Sequence, residues 1–521
     1  MCGIIVSTSK EKDALSLKDK LDLRGPDQTQ MKTIDGITFS FHRLAIMDLK
    51  ETGMQPFQYN GCTLVANAEI YNYEDIKSQI PEYNFIGSSD CEVLLPFYQL
   101  FKEDIFQYLD AEFAIVLYDS ENNTLIAGRD PIGIRPLFYG YHNKDGNIIF
   151  ASEAKAIFSI VTKVFAFPPG HYYKNGEFTK YSDLDEIDKY HQHLSDDITF
   201  NIRAKLISGI TKRIQSDAPM GYLLSGGLDS SLVCAIASRF KTEKIRTFSI
   251  GMETDPIDLK YAKEVAEYLH TDHTEVRMTK EQVLSSLKDI IYALETYDIT
   301  TIRASIGMYL LAKYIHENTD IKVLLTGEVS DELFGYKYTD FAPSPDAFQK
   351  ESIKRVEELY MYDVLRADRC LAANSLEARV PFADIDFVNY VLRIPPIFKM
   401  NNYNVGKFLL RKSFEGDYLP KHILYRDKAA FSDAVGHSMV DFLKEYAESK
   451  YSDAEFLQKR ALYKPIPISK EALLYRDIFE QSYPGHEHLI LDYWMPNKEW
   501  DGCNVNDPSA RVLSNYGKSG K

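Results

Sequence analysis

Short apolar runs, each followed by turn residues, recur along roughly the first third of the chain. Alternation of apolar and polar positions predicts strands, and these fall at residues 3–7, 37–41, 63–67, 113–118, 124–129 and 148–151. Helical periodicity is rarer here and predicts helices at residues 13–21, 73–79 and 91–101. We therefore expect a sheet-rich domain over residues 1–185.

The pattern changes after a polar stretch at residues 181–197, which we interpret as a linker. Beyond it, short and continuously apolar strands alternate with helices. The predicted strands are 220–224, 245–250, a short run at Val276 and 322–325, and the predicted helices are 200–214, 230–240 and 259–269. Such alternation predicts a parallel, doubly wound sheet. From about residue 351 the pattern is mostly helical, so we expect the second domain to span residues 199–521.

Length and composition narrow the class of protein. A chain of 521 residues is too long for one core, and a net charge of −16 gives nucleic-acid binding no electrostatic support. The six cysteines include no Cys-x-x-Cys pair, which argues against a zinc site or a disulfide framework and for a reducing compartment. No apolar run has membrane-spanning length, and no signal peptide is recognisable. We therefore expect a cytosolic protein with neither a nucleic-acid nor a membrane partner.

The second residue is the first candidate for chemistry. Removal of Met1 would leave Cys2 with its thiol close to a free α-amine. Such an amine has an unperturbed pKa of about 7.7–8.0, so much of it is neutral near pH 7 and can take the thiol proton. On position alone, an initiator methionine followed by an ordinary small residue is an equally good interpretation.

A glycine- and serine-rich loop at residues 225–231 follows the predicted strand 220–224 and precedes a helix. Its glycines let the backbone approach an anion, and the helix start with its serine hydroxyls forms a phosphate cradle. Asp229 suits a Mg²⁺ ion bound to those phosphates. The loop is not a Walker A motif, because the Gly-Lys-Ser/Thr ending is missing. A plain strand-to-helix turn with a serine cap is the alternative.

The loop sequence Ser-Gly-Gly-Leu-Asp-Ser resembles the pyrophosphate loop of enzymes that split ATP between the α- and β-phosphates. Combined with the N-terminal Cys-Gly-Ile-Ile, it resembles the family of glutamine-dependent asparagine synthetases. The resemblance continues in order at residues 24–27, 41–48, 67–72, 88–92, 129–137, 151–155, 295–305, 325–332, 362–369, 377–382, 426–433 and 507–511. It covers nearly the whole chain.

The resemblance implies a fold and a domain order. The first domain would be a class II glutamine amidotransferase with an N-terminal nucleophile and an αββα sandwich. The second would be an ATP-pyrophosphatase-type synthetase domain, with a parallel-sheet nucleotide site and a helical C-terminal part. The chain as a whole would thus combine α/β and α+β architecture.

The residue types of the first domain suit glutamine, which is a zwitterion with an amide tail. Arg43 can hold its carboxylate bidentately, and Asp90 and Glu69 can take its ammonium. The Asn67 side-chain amide and the backbone N–H of Ala68 would form the oxyanion hole. By resemblance, the glutamine pocket also includes Leu44, Ala45, Ile46 and Met47.

Roles in the second domain follow from the resemblance alone. Glu328 is implied in forming the aspartyl-adenylate, and Asp331 would be a second Mg²⁺ ligand beside Asp229. Lys428 would neutralise the β- and γ-phosphates of ATP, although a solvated surface lysine is the commoner case. The other implied ATP-binding residues are Leu223, Ser225, Gly226, Gly227, Ser230, Ile250, Thr326 and Gly327. The stretch 295–305 would shape the aspartate pocket.

Four features depart from the family pattern, and one of them is a single glycine at Gly335 where two are usual. Ala68 and Ala111 stand where glycine is usual, and so does Val329 in the stretch 325–332. A backbone N–H donor at Ala68 survives this change only if φ there is not strongly positive. Val329 affects the geometry of its loop rather than the charges around it.

The implied function is asparagine synthesis from aspartate, glutamine and ATP. Cys2 would release ammonia from glutamine, and the second site would activate the aspartate side chain as β-aspartyl-AMP with release of pyrophosphate. Ammonium is not a nucleophile, so ammonia must travel unprotonated, which predicts a largely apolar passage between the sites. The resemblance also suggests a homodimer.

Other functions remain open at this point. Relatives that form β-lactams keep the architecture but typically lose the nucleophilic cysteine, whereas Cys2 is retained here. Phosphosugar amidotransferases share the first domain but would lack the loop at residues 225–231. A binding or storage protein with decayed sites is the non-enzymatic alternative, and it is disfavoured because Cys2, Asp229, Glu328 and Asp331 are all intact.

Overall fold

Twelve strands form two antiparallel sheets in the first part of the chain. The computed structural model describes residues 1–10, 15–187, 189–192, 195–254, 256–427 and 437–516. The strands are β1 (Gly3–Ser7), β2 (Gln28–Ile34), β3 (Ile37–Arg43), β4 (Phe57–Tyr59), β5 (Cys62–Ile70), β6 (Ala111–Asp119), β7 (Thr124–Arg129), β8 (Phe138–His142), β9 (Ile148–Ala151), β10 (Val161–Ala166), β11 (His171–Lys174) and β12 (Glu177–Lys180). One sheet has the order β10-β8-β9-β1-β3-β2, and the other has the order β12-β11-β7-β6-β5-β4.

The two sheets pack face to face. Because side chains alternate along a strand, Ile4 and Val6 of β1 point into the space between the sheets and meet Val65 and Val116 of the second sheet. The outer face of the second sheet is covered by α1 (Tyr73–Gln79), α2 (Leu94–Phe101) and α3 (Ile105–Tyr108). The outer face of the first sheet is covered by residues 15–24 and 154–160. The predicted αββα sandwich is confirmed.

The helix predicted at residues 13–21 does not continue past Leu15 in the part of the chain that the structure describes. Residues 11–14 lie outside the described residues, Leu15 is helical, and residues 16–24 form successive turns closed by hydrogen bonds such as Lys18 N–H to Leu15 O at 3.3 Å. Leu17 and Leu21 are nevertheless buried on the sheet, as the apolar spacing predicts. These turns end at Arg24, whose side chain forms ion pairs with distant parts of the fold.

A five-stranded parallel sheet forms the centre of the second part of the chain. Its strands are β13 (Met220–Leu223), β14 (Arg246–Met252), β15 (Asp272–Met278), β16 (Val323–Leu325) and β17 (Glu377–Arg379), in the order β15-β14-β13-β16-β17. The chain order reverses between β13 and β16. In open parallel sheets this switch point makes a crevice at the carboxyl ends of the strands, where ligands bind.

Helices cover both faces of this sheet and continue to the end of the described chain. They are α4 (Ser195–Arg213), α5 (Leu228–Phe240), α6 (Ile257–Leu269), α7 (Lys280–Leu294), α8 (Ile299–Asn318), α9 (Ser330–Phe334), α10 (Pro345–Glu358), α11 (Asp363–Ala372), α12 (Ile385–Leu392), α13 (Pro396–Lys399), α14 (Phe408–Ser413), α15 (Lys421–Leu424), α16 (His437–Lys450), α17 (Asp453–Arg460) and α18 (Lys470–Ser482). Helices α4, α5 and α6 share one apolar cluster with the sheet, and α7, α8 and α11 share another on the opposite face. The predicted doubly wound sheet with a helical C-terminal part is therefore confirmed.

Shorter 3-10 turns connect these elements. They lie at Glu51–Gly53, Asp90–Val93, Lys102–Asp104, Ala154–Ala156, Lys337–Phe341, Leu359–Met361, Pro381–Ala383, Glu487–Leu489 and Ala510–Val512. None of the helices in the described ranges combines the length and the hydropathy that a membrane span requires.

Strand β17 is the one strand of the parallel sheet that the sequence pattern does not predict. Its sequence, Glu-Ala-Arg, contains no apolar run. The segment is extended because its backbone pairs with β16, from Val323 opposite Glu377 to Leu325 opposite Arg379. The two charged side chains are buried because they face the first domain, where they find partners of opposite charge.

Candidate active sites

Cys2 directly precedes β1 and lies against the segment that follows β3. Its Sγ is 3.6 Å from the backbone oxygen of Leu44, and Arg24 Nε donates a 3.1 Å hydrogen bond to the backbone oxygen of Cys2. Burial raises the pKa of the Cys2 thiol. The thiol is therefore protonated near neutral pH and needs a base before it can act as a nucleophile.

Met1 is buried in this structure, so the α-amine belongs to the residue before Cys2 and not to Cys2 itself. The amine donates a 3.4 Å hydrogen bond to the backbone oxygen of Leu376 in the second domain, and burial lowers its pKa to about 5. Removal of Met1 would place a free amine on Cys2 itself. That amine is the base that the sequence analysis predicts.

The two predicted oxyanion-hole residues are neighbours on β5, opposite Ala114 and Phe113 of β6. The Nδ2 of Asn67 is buried and makes no hydrogen bond to any described residue. An unpaired buried donor is costly, so this amide suits an anion that arrives with the substrate. Ala68 lies outside the left-handed region of φ, so alanine there is unstrained and its N–H can still be a donor.

Arg43 ends β3 and is held by a neighbouring loop. Its guanidinium donates to Gln28 Oε1 at 2.9 Å, to the backbone oxygen of Lys50 at 2.7 Å and to the backbone oxygen of Asp48. These contacts restrict where the guanidinium can point. Its proposed contact with the glutamine carboxylate stays a prediction.

The four residues after Arg43 have apolar side chains, and the Cys2 thiol lies beside the backbone of the first of them. The N–H of Ala45 donates a 2.7 Å hydrogen bond to Asp27 Oδ2. The side chains of Leu44 and Ile46 pack into the core of the second domain, with Met47 against it. The segment is thereby fixed by the other domain, which turns its backbone rather than its side chains toward Cys2.

Asp48 ties this loop to the turn that precedes Asp90. Its Oδ2 accepts hydrogen bonds from Thr52 Oγ1 at 2.7 Å and from the N–H of Ser88 at 3.0 Å. Its own N–H donates to Asp217 Oδ2 in the second domain at 2.9 Å. The predicted carboxylate-binding and ammonium-binding segments are thus held together by one side chain.

The two predicted ammonium-binding carboxylates already have protein partners. Asp90 Oδ2 accepts a 2.7 Å hydrogen bond from the N–H of Ile70, and burial raises the pKa of Asp90 to about 6. Glu69 lies 2.7 Å from Arg379 of β17, and burial raises its pKa well above the ordinary value. The pKa of the Cys91 thiol is raised first by burial and then by the charges of Asp90, Glu69 and Cys2. These groups therefore lie close to one another.

A buried arginine joins Cys2 to the second domain. Arg24 lies 2.7 Å from Asp368 Oδ2 and 3.0 Å from its Oδ1, and it also pairs with Glu153 at 2.9 Å. Asp368 belongs to α11, whose Arg369 reaches the same Glu153 at 3.0 Å. The motif at residues 24–27 marks Arg24 in the sequence, but its partner is 344 positions away and no local pattern predicts the pair.

The phosphate loop lies at the carboxyl end of β13, at the switch point of the parallel sheet. Ser225 and Ser230 hydroxyls are 3.0 Å apart, and the Ser225 N–H donates to Ser230 Oγ at 3.1 Å. Gly226 has φ of +72°, and an added Cβ would lie 2.5 Å from the backbone nitrogen of Ala262. The tight turn therefore needs glycine at this position.

One cavity brings most of the predicted nucleotide residues together. Its walls include Leu223, Ser225, Gly227, Asp229, Ser230, Ile250, Thr326, Gly327, Glu328 and Asp331. Gly226 is not part of the wall, and its backbone oxygen accepts a 3.0 Å hydrogen bond from Arg426. Lys428 lies outside the described residues.

Four acidic residues of the cavity are paired with cations of the same domain. Arg366 pairs with Glu328 at 2.5 Å and with Asp363 at 2.8 Å. Lys407 pairs with Asp229 at 2.8 Å and with Asp331 at 2.5 Å. The carboxylates of Asp229 and Asp331 thus converge on one cation. This donor set suits Mg²⁺, which enzymes commonly hold with one or two carboxylates and substrate phosphates.

Val329 adopts an unusual backbone conformation between these acidic residues. Its φ is 79° and its ψ is −20°, and its side chain is 2 % exposed. A β-branched residue in the left-handed region is strained. The departure from the family pattern at this position therefore has a structural cost, unlike the one at Ala68.

The predicted aspartate segment is divided between two places. Thr300 and Arg303 on α8 line the cavity, and Arg303 is paired with Glu471 at 2.5 Å. Glu295 lies instead at the domain boundary, 2.8 Å from Arg369. Asp298 lies between Glu295 and the residues on α8. Its Oδ2 accepts a 2.8 Å hydrogen bond from the N–H of Thr301 and so caps α8.

Comparisons with known proteins match both parts of the chain. An asparagine synthase family model matches residues 201–345 and 340–506, and a glutamine amidotransferase domain model matches residues 1–177. The chain is 41% identical to a probable asparagine synthetase [glutamine-hydrolyzing] of Acanthamoeba polyphaga mimivirus, over 98% of this chain and 100% of the relative. It is 40% identical to asparagine synthetase [glutamine-hydrolyzing] of Cricetulus griseus, over 100% of both chains, and 39% identical to that of Homo sapiens, over 99% of both.

The two domain models define the class, a glutamine amidotransferase domain joined to a synthetase domain. The extent of the matches makes the assignment more specific: the chain belongs to the family of glutamine-hydrolysing asparagine synthetases. The resemblance inferred from the motifs is confirmed.

Proposed function

We propose that the protein makes asparagine from aspartate, glutamine and ATP, and releases glutamate, AMP and pyrophosphate. The observation that carries this is a physical link between the two sites. Arg24 holds the backbone of Cys2 and the carboxylate of Asp368. Asp368 lies on the same helix, α11, as Arg366, which pairs with Glu328 in the nucleotide cavity.

Glutamine hydrolysis is assigned to the first site. After removal of Met1, the α-amine of Cys2 takes the thiol proton and the thiolate attacks the side-chain amide of glutamine. The Asn67 amide and the Ala68 N–H stabilise the oxyanion of the tetrahedral intermediate. Ammonia leaves, and water then releases glutamate from the thioester. Arg43 and Asp90 orient the substrate through its carboxylate and its ammonium.

Aspartate activation is assigned to the second site. The loop at residues 225–231 holds the phosphates at the start of α5, and the aspartate side-chain carboxylate attacks the α-phosphorus to give β-aspartyl-AMP. Glu328 lies at the wall where this intermediate would form. Asp229 and Asp331 would hold Mg²⁺, which would offset the charge of the leaving pyrophosphate.

Ammonia must reach the acyl-adenylate without being protonated by bulk water. The burial of Met1 in the core of the second domain, directly beside the half-buried Cys2, supports an internal route. The domain boundary near Glu69 and Arg379 is charged rather than apolar. We therefore propose a passage whose amidotransferase end has polar walls, a departure from the largely apolar passage expected from the chemistry alone.

Asparagine formation from aspartate and MgATP tests the proposal, with glutamine or ammonium as the nitrogen source. Cys2→Ala should abolish the glutamine reaction and leave the ammonium reaction intact. Cys62→Ala is the matched control, because Cys62 is a buried thiol at the far end of β5 and should keep both reactions. No asparagine from either nitrogen source in the wild type would overturn the proposal.

We also propose a cytosolic homodimer. The cytosolic location is supported by six cysteines that all remain free thiols, and the homodimer is supported by family membership alone. A net charge of −16 supports the absence of a nucleic-acid partner. Light scattering of the purified protein checks the dimer, since a monomer mass would contradict it.

A further inference from the structure

Lys407 places its ammonium between the two carboxylates proposed to hold a metal. The Nζ is 2.8 Å from each carboxylate oxygen of Asp229, 2.5 Å from Asp331 Oδ1 and 2.9 Å from Ser330 Oγ. Its side chain is 3 % exposed. An ammonium has three protons and no acceptor, so this single cage of oxygens can fill its whole hydrogen-bonding capacity.

The cage is assembled from the two sides of the switch point. Asp229 lies in the first turn of α5, after β13, and Asp331 lies in the first turn of α9, after β16. The hydroxyl of Ser330 donates a 2.7 Å hydrogen bond to Asp229 Oδ1 and helps to fix its orientation. Two carboxylates that converge in a buried place repel each other, and the ammonium of Lys407 offsets that repulsion.

We propose that Lys407 is the resting counter-ion of Asp229 and Asp331, and that it makes metal binding depend on the nucleotide. The inference rests on the proposed metal role of these two carboxylates. Mg²⁺ binds oxygen ligands at about 2.0–2.1 Å. An ion on the oxygens that Lys407 contacts would lie close to the ammonium, and two cations at such a separation repel strongly.

Free Mg²⁺ would therefore have to expel Lys407 with no new partner for the ammonium. MgATP brings the phosphates with the metal, and these anions give the displaced ammonium a place to bind. The nucleotide complex is thus favoured over the free ion. When pyrophosphate and the metal leave, the ammonium returns and the two carboxylates are again neutralised in part.

The chain around Lys407 permits this movement. Lys407 has a left-handed backbone (φ 58°, ψ 36°) and directly precedes α14. Asn402, Tyr403 and Asn404 are exposed, and an added Cβ on Gly406 would meet no atom within 4 Å. Displacement of the side chain therefore needs rearrangement of a surface loop rather than of the core.

The test is a titration of the full-length protein with Mn²⁺ alone, followed by electron paramagnetic resonance without nucleotide. Lys407→Met keeps most of the side-chain stem and removes the charge. We expect it to bind Mn²⁺ at least tenfold more tightly than the wild type. Lys412→Met is the matched control, because Lys412 is exposed and pairs with Glu415 on the surface; it should bind Mn²⁺ as the wild type does.

Equal Mn²⁺ affinities for Lys407→Met and the wild type would overturn the inference. If the variant does not fold, the wild type alone tests the inference. Saturable one-to-one binding of Mn²⁺ to the wild type at micromolar concentration would contradict a cage already filled by lysine. Asp331→Asn separates this inference from the proposed function. If Asp331→Asn leaves Mg²⁺-dependent binding of labelled ATP unchanged, the metal role itself is wrong; if it abolishes that binding while Lys407→Met has no effect, the counter-ion role alone is wrong.

Discussion

The amidotransferase site depends on the other domain, whereas the synthetase site is built within its own. Around Cys2, Arg24 is held by Asp368 and Glu69 is held by Arg379, so both ion pairs cross the boundary. The cavity at the switch point of the parallel sheet is lined entirely by residues from Leu223 onward. Damage to the boundary should therefore affect glutamine use more than ammonium use.

The two sites also differ in how they accommodate the loss of a glycine. Ala68 and Ala111 lie on extended strands, where alanine has an ordinary backbone conformation. Val329 lies in a tight turn between β16 and α9 and has a φ of 79°. Loss of the family glycine is thus tolerated in a strand and costly in a turn, and the residue type alone does not reveal this difference.

The largest expected effect comes from the boundary. Asp368→Asn should lower the free energy of unfolding by about 3 kcal/mol, because it leaves the buried Arg24 with less opposite charge. Glutamine-dependent asparagine formation should fall by roughly tenfold or more relative to ammonium-dependent formation, since Arg24 also holds the backbone of Cys2. Thermal unfolding and the two assays measure this.

Asp386→Asn is the control for that variant. Asp386 pairs with Lys205 at 2.7 Å, and its side chain is 60 % exposed, so its loss should change little. If Asp368→Asn lowers both reactions equally, the boundary does not serve the amidotransferase site specifically, and the comparison fails.

Asn67→Ala should lower glutamine hydrolysis by about 10²–10³-fold, the usual cost of losing one oxyanion-hole donor. Ammonium-dependent synthesis should be unchanged, because the cavity of the second site does not include Asn67. Asn122→Ala, in a turn after β6, is the matched control and should be silent. A full-rate Asn67→Ala variant would remove Asn67 from the mechanism.

The pH dependence of glutamine use should report Asp90. Burial raises the pKa of Asp90 to about 6, above the ordinary value of about 3.9. The folded protein then binds more protons than the unfolded chain between about pH 4 and 6, so ionisation of Asp90 lowers stability as the pH rises through this window. The same ionisation supplies the charge for the substrate ammonium.

We therefore expect the KM for glutamine to rise as the pH falls through 6, by about tenfold per pH unit below that value. Release of glutamate measures it. Asp90→Asn should have a raised KM that no longer changes across this range. A wild-type KM that is flat from pH 5 to 7 would show that Asp90 does not bind the ammonium.

The smallest effects test the glycine positions. Ala68→Gly should lower the free energy of unfolding by about 0.5–1 kcal/mol, because glycine gains freedom in the unfolded chain. At position 329 both Val329→Ala and Val329→Gly lose the buried side chain, but glycine alone escapes the left-handed strain. The Gly variant should thus be more stable than the Ala variant by about 1 kcal/mol. Denaturant unfolding of the full chain measures both, and equal stabilities at position 329 would mean that Val329 stores no strain.

Apolar alternation predicts the regular elements well, because strands at residues 3–7, 124–129 and 148–151 are found at the expected bounds. It fails at β17, whose burial depends on ion pairs with the other domain. It also fails at residues 16–24, where Leu17 and Leu21 are buried by a series of turns and not by a continued helix.

The residues of the candidate sites also fall into those that the sequence predicts and those that it does not. Motifs place the phosphate loop and Asn67 because the chemistry lies within a few consecutive residues. Lys407 follows Gly406 in an unremarkable polar stretch, and it reaches Asp229 across 178 positions. Such a contact is created by the tertiary fold, so no pattern in the sequence predicts it.

The most direct measurement supplies glutamine labelled with ¹⁵N at the amide, together with aspartate, MgATP and an equal concentration of unlabelled ammonium. The nitrogen of the asparagine formed is then read by mass spectrometry. Two sites joined inside one protein predict asparagine with a label fraction well above that of the mixed bulk ammonia, and Cys2→Ala should give unlabelled asparagine. Asparagine labelled only to the bulk level would contradict the internal transfer, and the absence of asparagine would contradict the function.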